Sequence, residues 1–246
     1  MANMCVEVCV DSIESFNHAQ AGGAGRIELC SSLALGGITP TYGLVKYALE
    51  YATVPVYAMI RPRSGDFLFN HDEIAMMADE IEFFRDLGLD GIVIGALTGD
   101  ATINTQAVKC WEQCAGPMGI TFHRAFDLTR HPERALETLI DLGCHRILSS
   151  GGRATAMAGI DNLKHWIQLA DQRLSIMPGS GVTPGNVTQI TRATGAREVH
   201  LSGKVAQPSL MTYHGQGATM GSHGHSDYCR DITDVQQIRA TVKQFL

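Results

Sequence analysis

At four widely spaced places along this chain a glycine is followed, four residues later, by an isoleucine or valine of an apolar run. The stretches are Gly23-Ala24-Gly25-Arg26-Ile27, Gly88-Leu89-Asp90-Gly91-Ile92, Gly143-Cys144-His145-Arg146-Ile147 and Gly195-Ala196-Arg197-Glu198-Val199. Glycine readily takes the left-handed backbone that ends a helix and turns the chain. Each stretch therefore reads as a helix stop that feeds a strand. Strand-like runs occur at 5–10, 26–30, 56–61, 91–97, 119–126, 146–150, 174–177 and 198–202. The glycine signal precedes every second run, as four repeated βαβα quarters require. Eight strands alternating with helices predict an α/β chain folded as one (β/α)8 TIM-type barrel domain over 1–246. The alternative is an open doubly wound sheet, but no G-x-G-x-x-G follows the first strand.

Helix signals fit the same rhythm. Ile74, Met77, Ala78, Ile81, Phe84 and Leu87 recur at helical spacing. Asn70-x-x-Glu73, just before them, has the form of a capping box, and Asp11-x-x-Glu14 gives the same signal for the first helix. Thr39-Pro40 and Thr183-Pro184 each set a capping hydroxyl before a proline suited to a first helical turn. One segment, at about 204–230, is too long for an ordinary βα loop. It carries Met211, Tyr213, His214, Met220, His223, His225 and Cys229. It reads either as a lid over the barrel mouth or as a surface insertion.

Composition narrows the partners. A net charge of −6 disfavours a general nucleic-acid binder. No apolar run reaches the roughly 18 residues of a membrane span. The N-terminus lacks a secretory pattern, so the seven cysteines read as reduced thiols of a cytoplasmic protein.

In such barrels the chemistry gathers where strands end. Strands one and two each read Glu-x-Cys: Glu7 with Cys9, and Glu28 with Cys30. Arg61 ends strand three, His123 and Arg124 lie at the end of strand five, and His200 and Ser202 share a face of strand eight. Charged side chains within buried strands need partners, and Arg61, His123 and Arg124 are candidates to pair with Glu7 and Glu28. Either a structural ion cluster or a ligand pocket explains them. As an enzyme, the chain would use Glu7, Glu28, Arg61, His123 and Arg124 as its catalytic set. Glycine loops after strands seven and eight, with Gly179, Ser180 and Gly181 and then Ser202 and Gly203, suit an anion such as a substrate phosphate. No lysine lies in strands three to seven, which argues against a Schiff-base aldolase. Cys9 and Cys30 fall at matching places in the two Glu-x-Cys pairs. Neighbouring strands lie about 4.8 Å apart, so the two thiols could share one Cu(I), a soft ion that favours thiolates. Ordinary burial of reduced cysteine is the alternative.

Several motifs together resemble the CutC family, named for copper homeostasis. They are Glu7-Val8-Cys9, Arg26-Ile27-Glu28-Leu29-Cys30, Gly36-Gly37-Ile38-Thr39-Pro40, Arg61-Pro62-Arg63-Ser64-Gly65-Asp66-Phe67, Thr121-Phe122-His123-Arg124-Ala125-Phe126-Asp127 and Pro178-Gly179-Ser180-Gly181-Val182. The resemblance implies a cytoplasmic (β/α)8 barrel that binds Cu(I) through Cys9 and Cys30, and it implies self-association into a homo-oligomer. Two departures stand out: Ser64 where the family often has a second glycine, and His214-Gly215 where an Arg-Asn pair is common. The resemblance favours a copper homeostasis protein. The convergence of polar residues favours an enzyme for a small anionic or phosphorylated substrate.

Overall fold

The computed structural model of the chain describes residues 4–215, 217 and 226–245. Strands and helices alternate: β1 (Cys5–Val10), α1 (Ile13–Gly22), β2 (Arg26–Leu29), α2 (Tyr42–Tyr51), β3 (Val56–Met59), α3 (His71–Leu87), β4 (Gly91–Ile94) and α4 (Thr105–Ala115). The second half continues with β5 (Gly119–Phe122), α5 (Pro132–Asp141), β6 (Arg146–Ser149), α6 (Ile160–Ala170), β7 (Ser175–Pro178), α7 (Val187–Thr194), β8 (Glu198–Leu201) and α8 (Val235–Val242). The strands pair in parallel in the order β7-β6-β5-β4-β3-β2-β1-β8, and β7 lies beside β8. This is the expected (β/α)8 barrel. The four recurrent glycines do what their spacing predicts: Gly23, Gly88, Gly143 and Gly195 have φ of 92, 91, 75 and 77°.

Alternation along each strand separates two environments. One face, with Val6, Val8, Ile27, Leu29, Ile92 and Ile94, packs against helix residues such as Phe16, Met77, Trp111 and Leu136. This shell between barrel and helices is the main apolar core. The inside of the barrel is largely polar. Its apolar residues include a small cluster of Cys30, Tyr57, Met59 and Val93, together with Met177 against Arg26 and Leu148 on the cavity wall. The Tyr57 ring lies across the barrel, and a Cβ on Gly91 or Gly119 would come within 2.4 or 1.9 Å of it. Arg26 and Arg146 stack on this ring at 5.2 and 5.1 Å, and both pair with Glu198, at 3.3 and 2.9 Å. An ionic layer thus underlies the site described below.

Three caps differ from expectation. The Asn70–Glu73 capping box forms as predicted. Ser12, not Asp11, caps α1, while Asp11 accepts from the Leu33 N–H. Helix α2 starts after Thr41 because the Thr39 hydroxyl is engaged by Glu80 and by the Arg61 N–H. Helix α7 starts after Asn186, whose side chain accepts from the Thr183 N–H.

Between β8 and α8 the chain forms an antiparallel ribbon, β9 (Lys204–Pro208) and β10 (Cys229–Thr233). Its base is tied to α1: Arg230 pairs with Glu14, and the Thr233 N–H donates to Ser15 Oγ. His214 stacks on Tyr228 at 4.0 Å. Met220, His223 and His225 lie outside the described residues. Among the described residues no helix is long and apolar enough to cross a membrane.

Candidate functional site

Register brings the inward residues of β1, β2 and β8 together. Glu7 lies opposite Arg26 on one side and His200 on the other, and Cys9 lies opposite Glu28. Glu7 is fully buried. It accepts from Arg26 Nε through Oε2, and from His200 Nδ1 through Oε1 at 2.8 Å. Burial pushes the Glu7 carboxyl up, but the His200 hydrogen bond and the Arg26 charge outweigh it and hold the group at about 2. Burial acts to lower the His200 pKa, yet Cys9, Glu28 and Glu7 around it raise it well above the ordinary value. At neutral pH the pair is a carboxylate and an imidazolium. The partners of Glu7 are therefore Arg26 and His200, not Arg61, His123 or Arg124 as expected. Parity alone shows which residues point inward. Only the stagger of parallel strands shows which of them meet.

Glu28 is placed differently. Its Oε2 is 3.8 Å from His200 Nε2 and accepts from the Cys30 thiol at 3.6 Å. Its Oε1 is buried with no hydrogen-bond partner. Burial raises its carboxyl to about 7, with the Glu7 charge adding to the rise and His200 opposing it. Cys9 lines the same cavity as Glu28 and His200. One donor atom from each of Cys9, Glu28 and His200 lies within 4.8 Å of the others. Cys30 stands two residues beyond Glu28, so the two cysteines are staggered along neighbouring strands and not level with each other. Cys30 is fully buried beside Met59 and Tyr57. Burial and the nearby Glu28 push its thiol well above the usual range.

The cavity has a volume of about 610 Å³ and opens at the C-terminal ends of the strands. Arg61 and His123, which follow β3 and β5, also line it. Arg61 Nη1 donates to Leu35 O and Gly37 O, and Nη2 donates to Gly65 O. Its guanidinium rests on Phe67 at 5.0 Å, and Phe67 packs on the His123 ring at 4.7 Å. His123 Nδ1 accepts from the Ala125 N–H at 3.1 Å. Burial and the Arg61 charge push the imidazole down to about 3, so it is neutral. A Cβ on Gly95 would lie 2.3 Å from this ring. The ring occupies its place because β4 is followed by a residue with no side chain.

Arg124 stands at the rim. The strand ends at Phe122, and residues Arg124–Leu128 form a 3-10 helix, so alternation stops before Arg124. Arg124 pairs with Asp127 at 2.9 Å. Asp127 in turn accepts from Ser149 Oγ, Ser150 N–H and Gly152 N–H, which ties this turn to the loop after β6. Of the anion-loop residues, Ser180, Gly181, Ser202 and Gly203 line the cavity. The Gly179 N–H is taken by Ser149 O.

Comparison with known proteins gives one consistent result. A model of the CutC family matches residues 4–205. A CutC protein of Vibrio vulnificus (strain YJ016) is 49% identical over 239 residues, 96% of each chain. The crystal structure of a candidate copper homeostasis protein CutC from Streptococcus agalactiae is 32% identical, with a TM-score of 0.78 over 81% of this chain and 98% of that one. N-(5'-phosphoribosyl)anthranilate isomerase from Pyrococcus furiosus, 12% identical with a TM-score of 0.56 over 98% of each chain, shares the fold alone.

Proposed function

The chain belongs to the CutC family, and on that premise we propose that its barrel mouth binds a small organic molecule and transfers a proton to or from it through Glu28. Family membership supports a role in copper homeostasis, and the proposed activity is a molecular event that could serve it. The observation that carries the reading is Glu28 Oε1, a carboxyl oxygen buried on the wall of a 610 Å³ cavity without a partner. A buried polar atom left unpaired costs free energy unless a ligand meets it. A carboxyl that titrates at about 7 can give or take a proton at physiological pH. The Glu7–His200–Arg26 group beneath it supplies fixed charges and no free proton acceptor. Seven free cysteines suit work in a reducing compartment, and we place the protein in the cytoplasm.

The test is exchange in D2O. Pooled small carboxylic acids and phosphorylated metabolites are incubated with the protein, and deuterium uptake at carbon is followed by mass spectrometry. We expect uptake into at least one compound, abolished in Glu28→Gln and retained in Cys30→Ser. Uptake that survives Glu28→Gln would remove Glu28 from the reaction.

A second reading is Cu(I) binding through Cys9 and Cys30. The cluster of Cys9, Glu28 and His200 donor atoms favours the Cys9 half of this reading and does not include Cys30; thiolate and imidazole both suit copper. Cys30 and His200 hold their protons firmly, so copper would have to displace them and binding would strengthen with pH. An anaerobic Cu(I) titration against a competing chelator decides this reading. Tight stoichiometric binding lost in the Cys9→Ser, Cys30→Ser double variant supports it, and binding that the variant keeps removes the thiol pair.

A further inference from the structure

We propose that the cavity wall formed by Arg61 and His123 is a carboxylate-binding subsite, so that the molecule held in the mouth is a small organic acid. This deepens the reading of the mouth as a small-molecule site and stands on different atoms from Glu28. Arg61 is 6% exposed and His123 4% exposed. Arg61 Nε and His123 Nε2 are both buried without a hydrogen-bond partner.

The chemistry of each unpaired atom is determined by its neighbours. Three N–H contacts of Arg61 go to backbone carbonyls of Leu35, Gly37 and Gly65. These carbonyls hold the guanidinium in place and do not neutralise it. Among the described residues, the charged group that acts on Arg61 is another cation, Arg63. A buried cation with no anion is costly, and Nε is the guanidinium nitrogen left without an acceptor. In His123, Nδ1 accepts from the Ala125 N–H. A neutral ring then carries its proton on Nε2. That atom is also a donor without an acceptor. Phe67 packs on both groups. The wall therefore holds two N–H donors without acceptors and one positive charge without a paired anion.

A carboxylate fits this set: it has one negative charge and two oxygens that accept hydrogen bonds. A phosphate dianion asks for more charge than one arginine supplies. Among the described residues the other cations lining the mouth are engaged, Arg124 with Asp127, Lys204 with Asp231 and His200 with Glu7. A neutral amide would leave the Arg61 charge unopposed.

The test uses the full chain with 15N-labelled histidine rings, titrated separately with acetate, pyruvate, acetamide and inorganic phosphate. We expect both carboxylates to shift the His123 Nε2 signal saturably, with acetamide and phosphate leaving it in place. In Arg61→Gln, shown by circular dichroism to be folded, carboxylate affinity should fall about tenfold or more. Wild-type protein alone can overturn the proposal: a His123 signal that no carboxylate moves, or that phosphate or acetamide moves as well as acetate does, contradicts it. An unchanged affinity in folded Arg61→Gln contradicts it too. Glu28→Gln separates the two readings, because carboxylate binding should persist there even if no proton transfer by Glu28 is found.

Discussion

Glu7 and Glu28 are the same side chain on neighbouring strands, and the barrel holds them in opposite states. Glu7 meets Arg26 and His200 and stays ionised. Glu28 meets a thiol and, at 3.8 Å, His200, keeps one oxygen without a partner, and is raised to about 7 by burial. The consequences for stability have opposite signs. The Glu7 carboxyl is lowered from 4.5 to about 2, so its contribution is present above about pH 4.5 and is lost as pH falls through 2. The Glu28 carboxyl is raised from 4.5 to about 7, so its contribution is present below about pH 4.5 and is lost as pH rises through 7. Over that window Glu28 should lower stability by about 3 kcal/mol. Urea unfolding at pH 5 and pH 8 should show Glu28→Gln with a smaller fall than wild type, and an equal fall would remove Glu28 as its source. Glu7→Gln should destabilise by about 3–5 kcal/mol, since it leaves Arg26 and His200 buried without their anion. A change under 1 kcal/mol in the same assay would contradict that pairing. The charged residues of this site are legible from sequence, because Glu7, Glu28, Arg61 and His123 are polar side chains in or at the ends of strands that must be buried. Their pairing is not legible, because it depends on strand stagger.

Elements place these side chains through small residues and local hydrogen bonds. Strand β5 stops at Phe122 because the His123 ring accepts from the Ala125 N–H and the chain turns into a 3-10 helix. Alternation carried past that point puts Arg124 on a strand face, whereas it stands at the rim with Asp127. Gly95 lets the imidazole in. Gly95→Ala should cost about 1–3 kcal/mol of stability, as overpacking of a filled interior does, and should weaken carboxylate binding by displacing His123. Thermal unfolding together with the acetate titration checks both effects, and a stable variant that binds acetate normally would show that the ring has room to move. Helix starts were only partly legible. Thr39 has a good capping hydroxyl, but a tertiary contact with Glu80 draws it away. The glycine stops were fully legible, because a left-handed glycine acts locally and needs no partner.

At the scale of the molecule, the barrel keeps its apolar core outside the sheet and a polar column within it. The ionic layer of Arg26, Arg146 and Glu198 around Tyr57 closes the lower end. The upper end opens into the cavity that holds Cys9, Glu28, Arg61, His123 and His200. The eightfold alternation was readable from the sequence because each quarter repeats the same helix stop. The ribbon of β9 and β10 was visible only as a segment of the wrong length, since its exposed strands lack a clear apolar face. The central claim is that this mouth carries a proton-transfer group at Glu28. Its most direct test is a pH titration of 13C-labelled glutamate carboxyls by NMR, with Glu28→Gln to assign the signal. The account predicts one carboxyl that titrates near pH 7 and disappears in the variant. A Glu28 carboxyl that titrates in the ordinary range, near 4.5, would contradict it.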